Sequence, residues 1–267
     1  MLLSKQPIKG GIILKKITNL FTAALVLGCI FHLSADDLED AVKFHVPFDG
    51  DCNAAVAEGD EKGDPIRKPE FHPGIYGKAI LCGGKGTATR FIRKDNIDFD
   101  NPGTVNVWFN INTPCGSTGP AIPFWGIGAD DKQGILMVTV MNDPMKQCPC
   151  RRQIGFLMIS KKRPKYARAF TVGTGKRRIC SGWHLISAAW SGNKLYVSLD
   201  GTSYRSFELD KPLSNAEFGY ARRFSSGVHY TKWHYLIDDL TVYGKKLSDS
   251  EILAIYEKGM KQLESSK

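Results

Sequence analysis

The chain has 267 residues, with 36 Lys and Arg against 27 Asp and Glu, a formal net charge of +9. Its 42% hydrophobic and 24% charged composition, with 27 glycines, excludes a disordered polymer, a collagen and a polytopic membrane protein. The length suits one large domain or two small ones, and the +9 fits either a basic binding surface or a scatter of solvated lysines.

Residues 1–35 hold Lys5, Lys9, Lys15 and Lys16 and no acid. An apolar run from Leu20 to Phe31 leads to Leu33-Ser34-Ala35 and then Asp36-Asp37. A basic start, an apolar core and a small residue before a charge read as a secretory signal. The run is short of the ~20 apolar residues a bilayer span needs. Val26-Leu27-Gly28-Cys29 also resembles a lipobox, against which the apolar run continues past Cys29, and an uncleaved anchor is a third reading. The expectation is a signal over 1–35 and one exported domain over 36–267, periplasmic, cell-surface or secreted. Membrane contact then needs an N-terminal segment that is lipidated or retained.

Without residues 1–35 the chain carries +5 and six of its seven cysteines: Cys52, Cys82, Cys115, Cys148, Cys150 and Cys180. An even number in an exported chain points to disulfides. Cys148-Pro149-Cys150 is C-x-C and no C-x-x-C exists, so no zinc site is expected.

Short β-type runs recur between turn signals at 42–48, 104–110, 121–127, 134–141, 153–160, 167–173, 183–190, 194–199, 203–209 and 233–243. Many alternate in period two, Val105, Val107 and Phe109 against Asn106, Trp108 and Asn110. Residues 53–75, rich in Gly, Pro and charge, read as a long surface loop. Ser248-Asp249-Ser250-Glu251 is a capping box, opening a helix with Ile252, Ile255, Tyr256 and Leu263 on its apolar face.

Residues 182–201 (GWHLISAAWSGNKLYVSLDG) and 236–259 (LIDDLTVYGKKLSDSEILAIYEKG) resemble hallmark segments of laminin-G-like, concanavalin A-like jelly rolls. Phe48-Asp49-Gly50 and residues 74–80 match that family's opening strands, so the resemblance covers about 40–260. It implies an all-β fold, an antiparallel jelly-roll β-sandwich with a short C-terminal helix. Such modules serve as carbohydrate-binding, adhesion and accessory domains, while related jelly rolls are glycoside hydrolases or polysaccharide lyases, so fold does not settle function. The resemblance also implies one structural Ca2+ where first and last strands meet, at Asp49 and Asp51 with Asp238 or Asp239 opposite. Against this, Asp49-Gly50-Asp51 reads equally well as a plain turn.

Jelly-roll glycosidases need two carboxylates facing one another, which related glucanases place on alternate residues of one strand. No such strand is present: Glu208 and Asp210 end a hairpin strand, and adjacent Asp238 and Asp239 should point to opposite faces. No lyase signature and no ligand-like histidine spacing are visible, so a non-catalytic module is expected.

Between Asp143 and Asp200 lie twelve bases and no acid, while the rest of the exported part sums to −7. Alternation of loops between the two ends of a sandwich places Arg151, Arg152, Lys176, Arg177 and Arg178 on one rim, with Lys161, Lys162, Arg163 and Lys165 on the opposite rim. The same parity gathers Cys115, Cys148, Cys150 and Cys180, so Cys115 should pair with one cysteine of the C-P-C and Cys180 with the other, leaving Cys52 for Cys82. Arginine forks suit sulfate, phosphate or uronate oxygens. An anionic polysaccharide or glycoconjugate is therefore the expected partner, with a cell-surface protein as the alternative and a solvated basic face as the competing account. Nucleic acid is not expected, because export removes the opportunity and no aromatic-interleaved platform is visible. Trp183 and Trp190, seven apart, should face opposite sides, and Trp108 and Trp233 read as core. Trp125, with Tyr166, is the best candidate for stacking on a sugar.

Overall fold

Alternation along the strands sets which side chains meet. Val105, Val107 and Phe109 are at most 2% exposed and belong to the central core, whereas Trp108 between them belongs to a separate cluster on the other face. The computed structural model describes residues 35–84, 86–111, 121–126, 135–142, 152–160, 163–170, 182–216, 223–229 and 234–266. Within 121–126, 135–142, 152–160 and 163–170 only the backbone is described. The chain divides into Met1–Asp40, where helix α1 (Ala35–Glu39) is the described element, and Ala41–Lys267, which is an all-β jelly-roll sandwich with one C-terminal helix.

One sheet has nine strands in the order β14 (Arg205–Glu208), β13 (Lys194–Leu199), β12 (Trp183–Ser191), β7 (Gly103–Asn110), β16 (Tyr235–Tyr243), β1 (Val42–Val46) and β2 (Val56–Ala57), with β5 (Lys78–Cys82) also beside β16 and β4 (Phe71–Pro73) beside β5. The other has seven, ordered β11 (Arg163–Phe170), β10 (Arg152–Ser160), β9 (Ile135–Asn142), β8 (Ala121–Gly126), β15 (Arg223–Ser226), β6 (Thr89–Ile92) and β3 (Asp64–Pro65). The sheets close on a core in which Phe44 of β1 meets Phe91 of β6 and Phe224 of β15 at ring-centroid distances of 5.1 and 5.2 Å, both edge-on. Burying each such ring stabilises by about 1.5–3 kcal/mol.

Residues 53–75 are not one loop. They contain β2, β3 and β4, each of two or three residues and too short to show a period. β11 starts at Arg163, earlier than the strand read at 167–173.

Helix α2 (Asp249–Ser265) begins on the expected capping box, with Ser248 and Glu251 satisfying each other's backbone amides. Ile255, Tyr256, Met260 and Leu263 pack onto Ile75, Trp108 and Leu185, covering the outer face of the nine-stranded sheet. The Trp108 and Tyr256 rings stack at 5.8 Å and 17°. Gly259 permits this approach, since a Cβ there would sit 2.3 Å from Trp108 Cζ2. Trp190 lies in the central core and Trp183 against the helix, on opposite faces. Trp233 lies outside the described residues.

Candidate functional site

Strand register brings several connection points together. Arg152 pairs with Asn142, Ala121 with Val140, Ile154 with Phe170, and Trp183 with Asn110. The strand ends that bound 111–120, 143–151 and 171–182 therefore lie at one end of their sheets, and the connection between Ser160 and Arg163 lies at the other. Arg152 is the first residue of β10. Arg163 and Lys165 belong to β11 and not to the preceding loop, because that strand begins two residues before Lys165. Arg151, Lys161, Lys162, Lys176, Arg177 and Arg178 lie outside the described residues, as do Cys115, Cys148, Cys150 and Cys180.

Cys52 and Cys82 are free, buried thiols. Burial raises both thiol pKa values, and each lies close enough for a Cys52 thiolate to push Cys82 higher still. The bridge expected between them is not formed in this structure.

The four aspartates are divided among separate tasks. Asp49 Oδ1 accepts the Lys78 amide at 2.7 Å, and Asp51 Oδ1 accepts the Asn53 amide at 2.7 Å. Asp238 Oδ2 accepts the Ile75 and Tyr76 amides at 2.7 and 3.0 Å, closing the turn before β5. Asp239 Oδ1 meets His45 Nε2 at 2.6 Å. Among the described residues no three His, Cys, Asp or Glu side chains converge as a metal-binding group. The buried Asp238 Oδ1 lacks a hydrogen-bond partner, but it is a single atom and not a coordination shell. Each of the four aspartates expected at a calcium site, Asp49, Asp51, Asp238 and Asp239, thus has its own protein hydrogen-bond partner in this structure.

The expectation that Asp238 and Asp239 face opposite ways is corrected. A bulge falls between Asp238 and Thr241 in the pairing with β7, and Asp239 takes a left-handed φ of 50°. One carboxylate reaches the loop packed against Trp108, and the other reaches His45, whose neighbours Phe44 and Val46 point into the core. Both therefore lie on the outer face of the nine-stranded sheet. They still do not make a hydrolytic pair, because Asp238 is 0% exposed and both its amide bonds are internal. Desolvation, together with Asp239 and Asp49 nearby, pushes the Asp238 carboxyl up to about 8 against the two amides that hold it down. Glu208 is spent on Lys194 at 3.5 Å. His184 Nδ1 meets Asp200 Oδ2 at 2.9 Å, an internal tie between β12 and the turn after β13.

A further charged cluster escaped the sequence reading, because its members are 67, 90, 223 and 229. In β6, Thr89 and Phe91 point inward and are at most 1% exposed, as are Phe224 and Ser226 of β15, so Arg90, Ile92, Arg223 and Ser225 stand on the outer face of the seven-stranded sheet. Arg90 pairs in register with Asp64 on one side and Ser225 on the other, and Ser225 pairs with Trp125. Asp64 is nevertheless engaged by Arg223 at 3.1 Å. Arg67 donates through Nη1 to the Gly84 and Gly86 carbonyls at 3.0 and 3.3 Å. Partial burial, and then the charges of Arg67 and Arg90, hold His229 below the usual histidine range.

Strand order and pairing together define an antiparallel jelly-roll β-sandwich. Among solved structures the chain is similar to botulinum neurotoxin binding domains. The serotype D binding domain matches with a TM-score of 0.62 at 12% identity, over 83% of this chain and 53% of that one. A type C structure, described by the dependence of toxin cell entry on two ganglioside molecules, matches at 0.63 and 8%, over 85% and 53%. A serotype D ligand-binding domain in complex with N-acetylneuraminic acid matches at 0.61 and 11%, over 84% and 52%. The chain thus spans about half the length of these structures, and at such identities the likeness is one of fold. No protein-family model matches the chain, and no curated protein matches it.

Proposed function

We propose that the chain is an exported, non-catalytic carbohydrate-binding module of laminin-G-like type. Its ligand is an anionic polysaccharide or glycoconjugate, held by the basic residues at the end of the sandwich where β10 begins. The observation that carries this reading is the strand register: it collects at one end the termini of the segments bearing Arg151, Lys176, Arg177 and Arg178, all from the acid-free stretch. The neurotoxin neighbours support it in kind, since two are described with gangliosides or N-acetylneuraminic acid, which are anionic glycoconjugates or their sugar. They lend no residue, because nearly half of each lies outside the match. The burial of Asp238 and the pairing of Glu208 with Lys194 support the non-catalytic half of the proposal.

A glycan array probed at two salt concentrations tests the reading. Binding to sulfated or carboxylated glycans that weakens with salt, and weakens again in Arg177→Ala/Arg178→Ala, is expected. Binding that ignores salt and survives the double substitution would refute the basic rim. Release of reducing ends or of unsaturated uronate from any polysaccharide would overturn the non-catalytic reading.

A further inference from the structure

We infer that the outer face of the seven-stranded sheet carries a seat for a single carboxylate-bearing sugar, centred on Ser225 between Arg90 and Trp125, separate from the basic loop rim. The inference rests on the proposal that the chain binds glycans, and it names which chemical class of sugar this face takes.

Charge assignment makes the first argument. Of the three arginines gathered here, Arg223 is held by Asp64, and Arg67 is turned to the carbonyls of Gly84 and Gly86. Arg90 has the opposite carboxylate, Asp64, directly beside it in register, yet that carboxylate is taken by Arg223. Among the described residues Arg90 has no ion-pair or hydrogen-bond partner for its guanidinium, although it is half-buried on a sheet face. One uncommitted fork suits one carboxylate in bidentate geometry and is poorly matched to a polysulfated chain.

Spacing makes the second. Arg90, Ser225 and Trp125 hold consecutive register positions on three adjacent strands, β6, β15 and β8. Neighbouring strands are ~4.8 Å apart, so the arginine and tryptophan positions lie ~10 Å from one another. That interval admits one pyranose ring between the Arg90 and Trp125 register positions, with the Ser225 position between them. His229 lies within electrostatic reach of Arg67 and Arg90, whose charges add to partial burial in lowering its pKa. None of these residues sits at the strand ends that bound the acid-free loops, so the two surfaces separate by mutation.

The test is calorimetric titration of the full chain with 3′-sialyllactose, lactose and inorganic sulfate. Sialyllactose should bind, with lactose roughly tenfold weaker or more for want of the carboxylate. Arg90→Ala and Arg90→Lys should each weaken sialyllactose by about tenfold, the lysine failing because it keeps charge without the fork. Trp125→Ala should weaken sialyllactose and lactose alike, and Arg90→Ala should lower sialyllactose affinity by the same factor in the parent and in an Arg177→Ala/Arg178→Ala background, as independent sites require. The melting temperature of Arg90→Ala should stay within about 2 °C of the parent, since no folded-state ion pair is lost. If Arg90→Ala binds sialyllactose like the parent, this seat is refuted while the rim remains. Equal affinity for sulfate and sialyllactose refutes the single-carboxylate specificity. If the parent binds no acidic glycan at all, here or on an array, the seat and the wider function fall together.

Discussion

Replacing Asp238 by Asn should make the protein more stable in alkali, a gain that vanishes in acid. The carboxyl is 0% exposed and its pKa stands at about 8 against an ordinary 3.8. A carboxyl whose folded pKa exceeds its unfolded one binds the extra proton in the folded state, so stability falls as pH rises between those two values. Nothing is lost below about pH 4, and the whole penalty is present above about pH 8. A separation of about four units at 1.36 kcal/mol each sets a ceiling of roughly 5 kcal/mol. Relaxation around a buried charge makes 2–4 kcal/mol, roughly, the more realistic range. Asn keeps one oxygen to accept the Ile75 and Tyr76 amides and never ionises, so it removes the penalty and keeps the clamp. Urea unfolding at pH 5 and pH 9, followed by tryptophan fluorescence, reads the difference. The two proteins should agree within about 1 kcal/mol at pH 5, with the variant clearly more stable at pH 9. Parallel pH profiles, or a variant weaker at pH 9, would refute a neutral Asp238. Millimolar calcium belongs in the same assay. A midpoint that rises with the logarithm of calcium concentration would establish the cation site expected at Asp49, Asp51, Asp238 and Asp239, and an unchanged midpoint would exclude it.

Gly259→Ala should push helix α2 off Trp108, costing about 1–3 kcal/mol and shifting tryptophan emission, because the new methyl would lie 2.3 Å from Cζ2. Emission and stability both matching the parent would show that the helix adjusts freely. Ser248→Ala should cost about 1 kcal/mol by removing the capping box, measured by thermal unfolding. Native Cys52 and Cys82 should resist iodoacetamide at pH 8, since burial raises both thiol pKa values, and should label only on unfolding. If export instead closes a Cys52–Cys82 bridge, as the even cysteine count suggests, labelling after unfolding should appear only once a reductant is added. That closure should raise stability by about 3–4 kcal/mol for the chain segment it encloses.

The strands that sequence could disclose are those with enough length to show a period. Lys194–Leu199 alternates visibly, and in the longer Trp183–Ser191 the residues Trp183 and Trp190 fall on opposite faces as an odd separation requires. Thr89–Ile92 and Arg223–Ser226 have four residues each, too few for a pattern, and their roles appear only through pairing. Two adjacent aspartates give no hint of a bulge. Asp tolerates the left-handed region, but tolerance does not announce use, so Asp239 turned a simple period-two argument wrong. The basic band was visible because its charges are contiguous in sequence. Arg67, Arg90 and Arg223 are scattered along the chain, and only strand order makes them neighbours.

Strand β16 also dictates when this fold can form. One of its edges pairs with β7, while the other is shared, Tyr235–Ile237 taking β5 and Leu240–Tyr243 taking β1. Three strands made earlier in synthesis therefore wait for a partner that lies far downstream of them. A growing chain that ends before Tyr235 presents three unpaired edges at the middle of its larger sheet, where aggregation is templated. Assembly of this sheet is dominated by contacts distant in sequence and is correspondingly slow. A nonsense change anywhere upstream of β16 would yield not a trimmed sandwich but an open one.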